Sequence, residues 1–239
     1  MQDFDLSGAK LCADGFFSTL RHHRHVLTAV GCAVLLAACG GSDDSSTPVA
    51  SQPATATLAV LETTDLHFNV RSYDYFKLAE DKSYGFERTA TLIRQARKEF
   101  ANTLLVDNGD TIQGTALADY EAEIKPISCT QQLSMYKAMS ALSFDAGTLG
   151  NHEFNYGLPF LNQVLGGGLD VEGVNASQKC VGNGYPAVLA NVYSSKTKKP
   201  LVQPYAVLER TMVAKGSEGK EVKLPIKIGV IGVTTPGIM

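Results

Sequence analysis

The sequence predicts a layered α/β domain in which short strands alternate with helices. Two observations carry this. From Leu58 onward, β-prone runs alternate with segments of helical periodicity. The first three of those runs each break abruptly into polar residues. Thr64-Asp65-Leu66-His67 follows the first, Asp107-Asn108-Gly109-Asp110 the second, and Gly150-Asn151-His152-Glu153 the third. In open α/β sheets the carboxyl ends of the strands share one rim, and ligands bind there. Three polar clusters are therefore expected on one rim.

Taken in order, "TLAVLETT" reads as a short strand. "GFERTATLIRQARKEF" reads as a helix, with Phe86, Ala90, Ile93, Ala96 and Phe100 at helical spacing and charges on the other faces. "NTLLVDNGD" is a second strand. "QQLSMYKAMSAL" is a second helix with Leu133, Tyr136, Met139 and Leu142 as its stripe. "FDAGTLGNHE" gives a third strand and turn, "GLPFLNQVL" a short helix and "YPAVLANVY" a fourth strand. The last stretch reads as a strand, a glycine-containing turn and a long strand. Its end, Ile226 to Val233, is nearly all apolar and suits a buried central position.

The chain has 239 residues and a formal charge of −3, so nothing attracts a nucleic-acid polymer. The first fifty residues are of another kind. Arg21 to His25 is basic, Val26 to Cys39 is apolar and small, and a Gly/Ser/Asp/Pro tract follows. That apolar run falls short of the about 20 residues that span a bilayer, and its flanks are those of a secretory signal. Leu36-Ala37-Ala38-Cys39 resembles the bacterial lipobox. Residues 1–39 are then a leader and lipoprotein-type signal, 40–57 a flexible linker, and 58–239 the folded part. Cleavage before Cys39 and lipidation of its thiol imply a periplasmic protein, lipid-anchored to the outer membrane of a Gram-negative bacterium, since Gly40 rather than Asp follows. A plain cleaved signal with a chance cysteine is the alternative.

Of five cysteines, Cys12 and Cys32 lie in the leader and Cys39 in the lipobox. Cys129 and Cys180 remain, both in polar, turn-rich segments, and an oxidising compartment allows them to pair. Two unpaired thiols are the alternative.

Asp65 and His67, spaced i, i+2, place both side chains on one side of an extended segment. A hard oxygen beside a borderline nitrogen suits Zn, Mn, Fe or Co, although such a pair is also common at a solvated strand end. Gly109 allows a sharp turn that aims Asp110 back at the rim. Its carboxylate could bridge two cations or merely cap a turn. Asp107 and Asn108 read as turn-forming through side-chain bonds to backbone. Asn151 offers a neutral amide oxygen to a second cation. His152, one residue on, points elsewhere and is a candidate donor facing a substrate. Glu153 reads as structural.

Asp65-x-His67, Gly109-Asp110 and Gly150-Asn151-His152-Glu153, in that order and each after a strand, resemble the calcineurin-like metallophosphoesterases. "LETTDLH", "LLVDNGDTIQGTALADY", "GTLGNHEFNYGL" and "KIGVIGVTTPGI" are similar to the exported nucleotidase branch, most of all to the bifunctional 2′,3′-cyclic-nucleotide 2′-phosphodiesterase/3′-nucleotidases. The resemblance implies a layered α/β/β/α sandwich and two divalent ions of the Mn, Co, Zn, Fe or Mg class. Asp65, His67 and Asp110 would hold the first ion, and Asp110 and Asn151 would begin the second. A hydroxide activated by the two ions would attack phosphorus, with His152 as the catalytic residue stabilising or protonating the phosphoryl or leaving oxygen. The implied partner is a nucleotide or cyclic nucleotide, and a monomer is expected.

Two departures from the family pattern matter. Many relatives carry an aspartate three residues after the histidine, where this chain has Asn155. The nucleotidase branch shares that change, so His152 is expected to be less basic or held by another group. The family also uses three later histidines, yet none follows His152 here. The expectation is an N-terminal portion of the domain, incomplete at its C-terminus and inactive in isolation, with the nucleotide-gripping domain elsewhere. A 5′-nucleotidase, a UDP-sugar hydrolase, a thiosulfohydrolase or a non-catalytic surface lipoprotein are the alternatives.

Overall fold

The computed structural model describes residues 53–236. The leader, Cys39 and the first part of the linker lie outside them. In chain order the elements are β1 (Ala59–Thr63), β2 (Tyr73–Asp74), β3 (Ala79–Glu80), α1 (Phe86–Glu99), β4 (Thr103–Asp107), α2 (Ala116–Asp119), a π-helical turn (Tyr120–Ile124), α3 (Ser134–Ser140), β5 (Ala146–Gly147), a 3-10 turn (His152–Phe154), α4 (Gly157–Val164), β6 (Tyr205–Lys215) and β7 (Glu221–Ile231).

A parallel sheet of order β1-β4-β5 positions everything else. Its register aligns Thr63 with Asp107 and Asp107 with Gly147, so the three strands end level with one another. Leu61, opposite Leu105, packs on the core that Leu105 enters with α1, α3 and α4 through Phe86, Ala90, Ile93, Met135, Met139, Leu161 and Val164. The other face of β1 carries exposed Val60 and Glu62. Helix α1 buries one stripe, and places Glu87 in its first turn with Arg97 and Lys98 in its last, each complementing the helix dipole.

Several expectations need correction. Helix α3 is shorter than its apolar stripe, although Leu133, Tyr136, Met139 and Leu142 are all buried. "YPAVLANVY" forms no strand. Pro186 has no N–H, and β5 turns away after two residues. Isolated bridges form instead: one to β5, with Gly147 N–H donating to the Pro186 carbonyl (3.0 Å) and Val188 N–H to the Gly147 carbonyl (2.9 Å), and one between Tyr193 and Pro200. The run Ile226 to Val233 is not a buried central strand. Among the described residues β7 pairs with β6 alone, so only alternate side chains are covered, and Ile231 and Val233 remain exposed. An apolar run encodes full burial only where both faces and both edges find neighbours. The β2–β3 ribbon and α2 were too short to leave a periodic signal.

The β6–β7 hairpin is fastened to the parallel sheet by buried Asn102. Its Nδ2 donates to the carbonyls of Thr57 (2.9 Å) and Val213 (2.8 Å), while its Oδ1 accepts from Val213 N–H (2.7 Å). A disulfide joins Cys129 to Cys180, with Cα atoms 4.5 Å apart across a sequence separation of 51. A loop of that size is expected to restrict the unfolded chain strongly. The double variant Cys129→Ser/Cys180→Ser should lose about 2–4 kcal/mol in urea titration under non-reducing conditions. An unchanged midpoint would show that the crosslink carries no stability.

Candidate metal centre

The loops leaving β1, β4 and β5 start from one level edge and fold onto one another. The loop after β1 is not the extended segment expected. Asp65 (φ 52°), His67 (φ 44°) and Phe68 (φ 55°) are left-handed, as is Asp110 (φ 56°) in the neighbouring loop. Such conformations cost on the order of 1–3 kcal/mol each in non-glycine residues and concentrate at functional sites. They let the first loop run along the second. Asp65 N–H donates to the Gly109 carbonyl (3.1 Å), His67 N–H to that of Asp110 (2.9 Å) and Phe68 N–H to that of Thr111 (2.9 Å). Phe68 is fully buried and anchors the turn. Asp65 and His67 thus share a side because the backbone coils, not because it is pleated.

Glycine makes the close approach possible. A Cβ on Gly150 would collide with the Asp110 carboxylate, and one on Gly109 with the backbone of Gly150. The loops after β4 and β5 touch at these two positions.

The result is a trio. Ligand-capable atoms of His67, Asp110 and His152 all lie within 4.8 Å of one another, half-buried. The two imidazoles meet edge to face, centroids 4.7 Å apart. Asp65 stands beside the trio, its Oδ1 3.6 Å from His67 Nε2, and is more exposed. Asp110 Oδ1 accepts the backbone N–H of His152 (2.8 Å), which orients the carboxylate. Asn151 precedes the 3-10 turn and is half-buried, and no hydrogen bond among the described residues engages its side chain. His152 was expected to point differently from Asn151 and to face a substrate; its ring lies within reach of both Asp110 and His67.

The donor set fits divalent cations. His67 Nδ1 lies 3.0 Å from the Gln113 carbonyl, which can only accept, so the proton sits on Nδ1 and the Nε2 lone pair is free for a metal. Imidazole with carboxylate in a half-buried pocket is a set for borderline ions. Asn155 does not hold His152 alone. Gln113 Oε1 lies 2.7 Å from His152 Nδ1, and Asn155 Nδ2 lies 2.9 Å from the same nitrogen. Gln113 escaped the sequence reading. The only hint was a long polar side chain between apolar Ile112 and a glycine, directly after the acidic turn.

Two buried carboxylates underlie the trio. Glu153 is 1% exposed and accepts backbone N–H from Asp110 (2.8 Å), Thr111 (2.6 Å), Ile112 (3.3 Å) and Gly150 (2.6 Å). Burial pushes its pKa up, and those N–H donors oppose the shift. Its role is structural and joins two loops rather than one. Asp107 belongs to the end of β4 more than to the turn. Burial pushes it up to about 7, against hydrogen bonds from the Thr63 and Thr111 hydroxyls and Gly109 N–H and in line with the Glu153 charge nearby.

Glu153→Ala strands those backbone donors, each worth about 1–3 kcal/mol when left unpaired. A loss of several kcal/mol is expected in thermal or urea melts, whereas a loss under about 1 kcal/mol would contradict the clamp. For Asp107 the folded pKa lies above the ordinary 3.8. Its stabilising contribution is therefore complete below about 3.8 and disappears as pH rises through about 7. The stability of the native chain relative to Asp107→Asn should fall between pH 4 and 8, by at most about 1.4 kcal/mol per pH unit. A flat difference across that window would contradict burial of the acid.

Residues 58–209 match the family described as calcineurin-like phosphoesterase. Over 189 residues the chain is 42% identical to the 2′,3′-cyclic-nucleotide 2′-phosphodiesterase/3′-nucleotidase of Yersinia enterocolitica, covering 79% of this chain and 26% of that protein. It is 40% identical over 185 residues to the trifunctional nucleotide phosphoesterase protein YfkN of Bacillus subtilis, covering 76% of this chain and 11% of that one. The crystal structure of the calcineurin-like phosphoesterase YfkN superposes with a TM-score of 0.64 at 39% identity, covering 78% of this chain and 51% of that chain. The chain spans 26% of the length of the first of these curated relatives and 11% of the second. With the strand order, the level strand ends and the His67–Asp110–His152 trio in place, this match establishes the chain as a member of the calcineurin-like phosphoesterase family.

Proposed function

We propose that the chain belongs to a metal-dependent hydrolase of nucleotide phosphoesters, one that opens 2′,3′-cyclic nucleotides to 3′-nucleotides and then releases phosphate. The observation that carries this reading is the convergence of His67, Asp110 and His152 within 4.8 Å at the level ends of three parallel strands. The 42% identity to a protein bearing that name supports the choice of substrate.

In this reading Asp65, His67 and Asp110 hold one divalent ion, and Asp110 and Asn151 contribute to a second. Such ions, when bound, act as Lewis acids toward a phosphoryl oxygen and make a water more acidic. The remaining work falls to the chain. Asp110 is held in place through its bond from His152 N–H, and His67 presents Nε2 because Nδ1 is occupied by Gln113. His152 carries the proton transfer. Hydrolysis of the cyclic diester breaks one P–O bond and places the hydroxyl of water on phosphorus, the other proton of that water passing to solvent, from which the imidazole is afterwards reprotonated. The departing ribose oxygen then needs a proton, which protonated His152 supplies from Nε2. The chain spans 26% of the length of the Yersinia relative, so turnover is tested in a polypeptide of that relative's length.

Metal binding and turnover test this separately. With Mn or Co added, Asp110→Ala should lose most bound metal by elemental analysis, and His152→Ala should retain it. Loss of metal from His152→Ala would reassign that residue as a ligand. In a chimera where residues 58–239 replace the matching segment of the Yersinia relative, His152→Ala should lower kcat on 2′,3′-cyclic AMP by about 10²–10⁴-fold. A chimera that cleaves 5′-AMP but neither 2′,3′-cyclic AMP nor 3′-AMP would overturn the substrate assignment.

A further inference from the structure

Gln113 stands between the two histidines of the centre and meets both at the same ring atom. Its backbone carbonyl lies 3.0 Å from His67 Nδ1, and its side-chain Oε1 lies 2.7 Å from His152 Nδ1. Both are oxygens that accept and cannot donate, so each neutral ring must carry its proton on Nδ1. Asn155 Nδ2 lies 2.9 Å from His152 Nδ1 and 3.4 Å from Gln113 Oε1. If Asn155 donated to Nδ1, two lone pairs would face each other across the 2.7 Å contact. The arrangement without that repulsion has Nδ1–H on Oε1; the Asn155 amide, nearer to Nδ1 than to Oε1, then turns its oxygen toward that N–H by an amide flip.

We infer that Gln113 is a positioning residue shared by the two histidines. It fixes Nδ1–H in both rings and leaves both Nε2 lone pairs for the centre that contains Asp110. The local backbone supports this. Ile112 is fully buried and pins one side of Gln113. Gly114 on the other side has φ +146°, and a Cβ there would press on the Cβ and carbonyl of His67, so only glycine lets the Gln113 carbonyl come so close. The two grips differ in kind. His67 is held by main chain, which substitution at 113 leaves in place, and His152 is held by the side chain. A neutral amide does the orienting where a carboxylate would also add charge. What His152 Nε2 then faces rests on the phosphoesterase reading, whereas the two tautomers do not.

The test is long-range ¹H–¹⁵N correlation of the imidazoles in the full 239-residue chain, uniformly ¹⁵N-labelled and metal-free, at a pH where the rings are neutral. His67 and His152 are assigned by His→Gln variants. Both are expected as Nδ1–H forms. In Gln113→Ala, His152 should revert to mainly Nε2–H, the form favoured by free imidazole side chains, while His67 keeps Nδ1–H. Gln113→Glu still accepts at that position and should restore Nδ1–H to His152. Asn155→Ala should leave both rings unchanged. Finding His152 as Nε2–H in the native chain overturns the inference, and so does a His152 tautomer that survives Gln113→Ala. Reversion in Asn155→Ala would transfer the role to Asn155. Should Gln113→Ala lose its amide dispersion, the Gln113→Glu and Asn155→Ala spectra decide alone. A chain showing these tautomers but no phosphoester hydrolysis in the chimera would defeat the functional reading and leave the positioning role standing.

Discussion

The centre depends on one buried carboxylate. Glu153 collects backbone N–H groups from the loop after β4 and from the loop after β5, and so makes a single unit of two segments about forty residues apart. A carboxylate out of water is costly unless its lone pairs are filled, and several main-chain donors fill them here. The same bonds satisfy amides that no strand or helix reaches. Asp110 returns the contact by accepting the His152 amide. The two loops therefore cannot move apart without exposing an unpaired charge and several unpaired N–H groups together, and Asp110 and His152 keep their spacing.

That clamp works because the sheet delivers the loops to the same height. Parallel pairing sets Thr63, Asp107 and Gly147 side by side, and each loop begins one residue later. The left-handed residues Asp65, His67 and Phe68 then turn the first loop along the second. The strain they carry is offset by three inter-loop hydrogen bonds and by burial of the Phe68 ring. Rigidity at the edge of the sheet is thus assembled from main-chain groups and the Glu153 side chain, and His67 keeps its Nε2 unspent while only its Nδ1 is tied to the Gln113 carbonyl.

The features legible in the sequence were those that repeat or break sharply. Helix α1 announced itself through its apolar spacing, and the strand ends through abrupt polarity after Thr63 and Asp107. Asp65, His67, Asp110, Asn151 and His152 all lie at the rim those breaks marked. The partners of these residues were not legible. Gln113 meets rings 46 and 39 positions away, and a hydrogen bond between distant residues leaves no period behind. The coil at Asp65–Phe68 was invisible because nothing in Asp-Leu-His-Phe demands a positive φ; only the neighbouring loop imposes it. The apolar run ending at Val233 misled for a related reason, since composition reports what could be buried and not which neighbours arrive.

Asn102 carries a consequence for the order in which the molecule closes. It lies immediately before β4, and its amide meets Thr57 on one side and Val213, 111 residues onward, on the other. The β1–β4 ladder joins segments about forty residues apart and closes a modest loop, but Asn102 stays unsatisfied until the far hairpin docks. Loop closure of that span is entropically slow to be rewarded. The parallel sheet and the hairpin are consequently held by one side chain, and a fluctuation that frees the hairpin releases both of its hydrogen bonds to Val213 at the foot of β4 in a single event.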